Sequence, residues 1–102
     1  MEYRTVISAE VASQILAASS YLDGIRLGLG QEFENEVEAI LKLLSKNPNL
    51  YPVEFGPVRR AFVRRFKQVV YYAVRGNAVV IIEIRDARRK PPNWVQLGYH
   101  RQ

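Results

Sequence analysis

At 102 residues the chain is the size of one small domain, and 48% apolar with 25% charged residues is the balance of a globular protein rather than a disordered one. There is no cysteine, which excludes disulfides and thiolate metal sites, and no apolar run nears the ~18 residues that suggest a membrane span. The net charge of +5 is unevenly placed: residues 1–57 carry four basic residues against eight acids, net −4, while residues 58–90 carry ten against Glu83 and Asp86, net +8.

Residues 2–7 alternate Tyr3, Thr5 and Ile7 against Arg4 and Val6 and are rich in β-branched and aromatic types, which predicts a strand. Glu2, Arg4 and Glu10 deny this start the uncharged core of a secretory leader, so a cytoplasmic protein with no membrane partner is expected. Ser8 offers an N-cap and Glu10 suits the first turn of a helix; Val11, Ile15, Leu16 and Leu22 recur at roughly helical spacing. The helix is predicted over 9–23, with Gly24 available to end it in a left-handed conformation. Gly24, Gly28 and Gly30 have no preceding strand and no Lys-Ser/Thr ending, so they read as an inter-helix turn and not as a phosphate loop.

A second helix follows with the apolar stripe Phe33, Val37, Ile40, Leu41 and Leu44, acids in its first turns, Lys42 and Lys46 at its end, and Asn47-Pro48 as its stop. After a link punctuated by Pro48, Pro52 and Pro57, three strand-like runs are predicted over 58–66, 68–75 and 78–85, the last two joined by a Gly76-Asn77 hairpin turn. Ala78 to Ile82 has no polar face, which predicts a central strand covered on both sides. The order βααβββ implies an α+β fold over 1–102, one domain with an antiparallel sheet and two N-terminal helices packed on one face.

Motifs in the second half carry a resemblance. Asn47-Pro48-x-x-Tyr51-Pro52 is followed by Val58-Arg59-Arg60-Ala61-Phe62-Val63-Arg64-Arg65-Phe66, then Val70-Tyr71-Tyr72-Ala73-Val74, then Arg88-Arg89-Lys90-Pro91-Pro92-Asn93-Trp94. With Gly28-Leu29-Gly30-x-x-Phe33 before the second helix, the order and spacing of these pieces resemble the ParE toxins of the RelE/ParE toxin-antitoxin superfamily over nearly the whole chain. The chain departs from many relatives in its first helix, Ile15 to Ser20, and in having Asp86 where a histidine often precedes the paired arginines.

The resemblance implies a toxin that binds DNA gyrase, halts replication and growth, and is neutralised by a cognate ParD-like antitoxin in a hetero-oligomer, as in plasmid-stabilisation systems. The alternative on the same fold is a RelE-like ribosome-dependent mRNA endonuclease. By alignment to Val70-Tyr71-Tyr72, that chemistry's strand arginine falls near Gln68 and its C-terminal aromatic near Trp94. Glutamine cannot neutralise a phosphate and indole cannot donate the proton a phenol can, so both favour the binding toxin over the nuclease. Tyr99 and His100 lie near in sequence and keep an acid or base available.

Arg59, Arg60, Arg64, Arg65, Arg85, Arg88, Arg89 and Trp94 are the candidate target- or antitoxin-binding residues. Strand alternation places Arg60 and Arg64 on one face with Phe62 and Phe66, and Arg59 and Arg65 on the other with Val63. Each arginine has an alternative use as a salt bridge to a glutamate of the second helix, and the cluster as a whole can be a solvated basic face. Tyr71, Tyr72 and Phe66 read as core or groove wall. No catalytic residue, metal or cofactor is assigned.

Overall fold

The computed structural model describes residues 2–101. Met1 and Gln102, the ends of the domain expected over 1–102, lie outside the described residues. The elements are β1 (Arg4–Ile7), α1 (Ala9–Ile25), α2 (Leu29–Lys46), β2 (Val53–Phe55), β3 (Val58–Val63), β4 (Gln68–Arg75) and β5 (Ala78–Asp86), with a 3₁₀ turn at Arg64–Phe66. No helix is long and apolar enough among the described residues to cross a membrane.

The five strands form one sheet in the order β1-β5-β4-β3-β2. The α+β architecture with both helices on one face is as predicted, but the sheet is mixed: β1 runs parallel to β5, while the remaining pairs are antiparallel. The helical hairpin is the crossover that a parallel pair requires. β2 was not foreseen, because Pro52 and Pro57 bracket it; three residues on a sheet edge tolerate flanking prolines that a central strand would not. The strand predicted over 58–66 ends at Val63, and Lys67, with φ 55°, turns the chain into β4.

Ser8 caps α1 by accepting the Val11 N–H at 3.1 Å. Gly24 does not end that helix, which continues to Ile25; the left-handed glycine is Gly28, with φ 93°, at the N-cap of α2. The carboxylate of Asp23 accepts the Gly28 and Gly30 N–H groups at 3.1 and 2.8 Å, supplying the capping that a glycine cannot. Gly30 is required for contact, since a Cβ there would stand 2.4 Å from the Ser19 carbonyl oxygen of the facing helix.

Between helices and sheet lies the larger core. Phe33, Val37 and Leu44 of α2 and Val11 of α1 meet Ala61, Val63, Val70, Tyr72, Val79, Ile81 and Ile84. Each fully buried stripe residue contributes about 1.5–3 kcal/mol. Ile82 is an extra residue opposite the Tyr71–Tyr72 step, a bulge that keeps Ile84 inward, and the Gln14 side chain of α1 accepts the Ile84 N–H at 2.9 Å. The outer face has a second, smaller cluster of Val58, Val69, Tyr71 and Trp94, with Phe55, Ile82 and Tyr99 packed against it. The run Ala78 to Ile82 thus has apolar contacts on both faces, Val79 and Ile81 in the larger cluster and Ile82 in the outer one with Trp94 of the C-terminal segment.

Candidate functional site

The β3–β4 turn and the end of β5 meet, with the Ala87 N–H donating to the Lys67 carbonyl at 2.8 Å. This contact gathers Arg64, Lys67, Arg88 and Arg89, all exposed, at one end of the sheet. Phe62, on the outer face of β3 and 43% exposed, borders the same region. With Arg64, Lys67, Ala87 and Arg88 it lines an open concavity of about 540 Å³.

The eight sequence candidates divide. Arg59 points to the helix side of the sheet, where its guanidinium donates to the Tyr51 carbonyl at 2.6 Å. Its neighbour across the ladder, Tyr72, donates its hydroxyl to the Pro48 carbonyl at 2.6 Å, so the two side chains together tie down the proline link. Arg60, on the outer face, donates to the Val53 carbonyl at 2.9 Å and pairs with Glu54 at 3.4 Å. Arg85 pairs with Glu83 and donates to the Lys90 carbonyl, with only 16% of its side chain exposed. Arg65 reaches back to Glu32 and Glu36 of α2 and lies over the Phe66 ring. These four arginines hold the fold together; Arg65 takes the α2-glutamate partner that was its alternative use.

Arg64 and Arg65 do not occupy the strand faces assigned to them, because the strand has already given way to a 3₁₀ turn. That turn separates them: Arg65 goes to the helices, and the Arg64 side chain has no hydrogen-bond or ion-pair partner among the described residues. Trp94 is also corrected as a presented contact. It is 6% exposed and packs edge-on to Tyr71 with ring centroids 4.8 Å apart, so it anchors the C-terminal segment. That segment continues over the sheet to Gly56, where a Cβ would stand 2.2 Å from the His100 carbonyl oxygen.

The electrostatics follow these contacts. The Arg88 guanidinium grips Asp86 through two bonds of 2.7 and 3.0 Å, and the Arg88 N–H adds a third at 2.8 Å. Arg88 thereby holds the Asp86 carboxyl far below the usual carboxylate range, and Asp86 in turn raises Arg88. Arg65, and secondarily Arg26, lower Glu32. Burial raises the phenols of Tyr71 and Tyr72.

Gln68 opens β4, paired with Val63 and Asp86, beside the cationic end. Tyr99 and His100 line a different hollow with Val74 and Arg75, at the other end of β4. At about 3.4 Å per residue that is ~20 Å away, too far to exchange a proton with a group held by Arg64 or Arg88. The exposed phenol of Tyr21, on α1, lies within electrostatic range of Arg88. Among the described residues no three metal-ligating side chains converge.

Lys67 and Phe62 were missed as site residues. The available signal was that Lys67 is the single residue between two predicted strand runs, so it must lie at a turn beside the arginines.

No family model and no curated protein sequence matches the chain. Among solved structures, the chain is similar to one described as "Chromosomal ParDE TA system from P. aeruginosa", with a TM-score of 0.75 and 15% sequence identity over 85% of this chain and 98% of that one. The likeness is one of fold: an α+β arrangement of two helices and a five-strand mixed sheet.

Proposed function

We propose that the chain is the toxin of a type II toxin-antitoxin pair, ParE-like in action: it binds DNA gyrase through its cationic sheet end and is neutralised by a ParD-like antitoxin. The observation that carries this reading is the division of the arginines. Four are consumed by the fold, while Arg64 and Arg89 stand with Lys67 at one sheet end, beside Arg88 in its pair with Asp86, suited to carboxylates or phosphates of a macromolecular partner. The fold shared with a chain of the ParDE TA system supports the choice of partner class. Binding, rather than acid–base catalysis, fits a site whose one nearby carboxylate, Asp86, is engaged by Arg88 and whose strand position holds Gln68.

One observation favours a second reading. Tyr21 of α1 is an exposed phenol within electrostatic range of Arg88, and a RelE-like mRNA endonuclease needs a proton donor near a phosphate-binding cation. Induced expression without antitoxin, followed by parallel assays of gyrase-dependent DNA cleavage and of mRNA cleavage on ribosomes, decides between them. Trapped cleaved DNA with intact mRNA is expected. Ribosome-dependent mRNA cleavage that is lost in Tyr21→Phe would replace the leading reading with the second.

A further inference from the structure

The two edges of the sheet are finished differently. β2 is guarded: it has three residues between Pro52 and Pro57, a register shift against β3, and its Val53 carbonyl is taken by Arg60. β1 has none of these devices. The Arg4 N–H turns to the Asn77 carbonyl at 2.8 Å, on the β5 side, and the Tyr3 N–H before it donates to the Ser45 carbonyl of α2 at 2.6 Å. Alternation then directs the N–H and C=O groups of Thr5 and Ile7 to the open edge, where they have no backbone partner among the described residues. Residues 5–7 hold no charge, proline or bulge.

A hollow of about 470 Å³ follows this edge, between Thr5 and Ile7 of β1 and Glu38, Leu41, Lys42 and Ser45 of α2. Ile7 is 40% exposed there. Glu38 and Lys42 are exposed too, and neither has an ion-pair partner among the described residues.

We propose that this edge pairs with the same edge of a second copy of the chain. The two β1 strands run antiparallel about a two-fold axis at Val6 and join the two five-stranded sheets into one. Thr5 of one copy faces Ile7 of the other, and each such pair exchanges both of its backbone hydrogen bonds. On the helix side Ile7 and Leu41 close over their counterparts, and Glu38 of each copy lies towards Lys42 of the other. Charge selects this occupant. A chain of net charge +5 repels its own kind at the basic sheet end, but here it offers one carboxylate and one ammonium, which suits an identical surface turned through a two-fold. An acidic or a basic partner segment would satisfy one of the two and oppose the other. The contact is short, so a dissociation constant of about 10–100 µM is expected.

Sedimentation velocity of the whole chain from about 1 to 300 µM is expected to show a monomer–dimer equilibrium. Thr5→Pro removes an outward N–H and leaves the β5 ladder intact, so it should weaken the dimer tenfold or more with the thermal midpoint held. Glu38→Lys and Lys42→Glu should each weaken it alone, and an equimolar mixture of the two should recover it, because the mixed pair restores both attractions. The chain has no cysteine, so a single introduced one reports directly. Val6→Cys sets two Cβ atoms across a non-hydrogen-bonded pair, within disulfide reach, and should crosslink under mild oxidation where Ser13→Cys, exposed on α1, does not. A monomer throughout the range, a dimer indifferent to a folded Thr5→Pro, no recovery in the mixture, or equal crosslinking of the two cysteine variants would each overturn the proposal. Should Thr5→Pro unfold, the mixture and the cysteine variants decide alone. Growth arrest is scored separately and bears on the toxin reading alone.

Discussion

Arg59 and Arg64 belong to the same basic run, yet the fold puts them to different uses. Arg59 falls within β3, on the helix side, and its guanidinium is absorbed by the Tyr51 carbonyl. Arg64 falls just past the strand end, in a 3₁₀ turn, and its side chain projects into solvent beside Lys67 and Arg88. Residue type and local charge are the same; location relative to the strand end separates a structural arginine from a presented one. Arg65 and Arg89 repeat the contrast, the first reaching α2 and the second exposed beyond β5.

The largest effect expected is on the outer cluster that anchors the C-terminal segment. Trp94→Ala should destabilise the chain by about 3 kcal/mol, read from chemical denaturation, because it empties the space against Tyr71. A change under ~1 kcal/mol would mean that Trp94 is a presented residue after all. Next in size, Arg59→Ala should cost about 1–3 kcal/mol, since it leaves the Tyr51 carbonyl unpaired, whereas Arg64→Ala should stay within ~0.5 kcal/mol. Equal losses at the two positions would erase the contrast between strand and turn.

Much of this arrangement is legible in the sequence. The stripe Phe33, Val37, Leu44 and the Gly76-Asn77 turn are local signals, and each matches the element that forms. The prediction of helix–sheet packing on one face follows from them. What escapes is non-local. The parallel pairing of β1 with β5 has no turn to announce it, and Gly24 resembles a helix stop until Asp23 is seen capping α2 through space. The separation of Arg64 from Arg65 depends on where β3 ends, which strand alternation cannot supply. Trp94 is sequence-adjacent to the arginine pair but is drawn into a cluster with Tyr71, far along the chain.

A smaller effect concerns pH. Arg88 lowers the Asp86 carboxyl, so the pair's stabilising contribution is present above the ordinary aspartate pKa of about 3.9 and is lost only as pH falls through the lower folded value. The Asp86 carboxyl resonance, followed by NMR, should therefore titrate well below the ordinary value and return towards it in Arg88→Ala. An unchanged midpoint in that variant would show that Arg88 is not the group holding Asp86 ionised. Glu32 should behave in the same direction, rising in Arg65→Ala.

The central claim is that the sheet end acts while the other arginines hold the fold. Its most direct test is the double variant Arg88→Ala/Arg89→Ala, induced without antitoxin, with growth and thermal midpoint measured on the same protein. Both side chains are exposed, the one ion pair lost is the surface pair of Arg88 with Asp86, and Pro91-Pro92 keeps the strand from continuing over them. The account predicts loss of growth arrest with the midpoint within a few degrees of the unmodified chain. A double variant that stays folded and arrests growth as fully as the unmodified chain would contradict it.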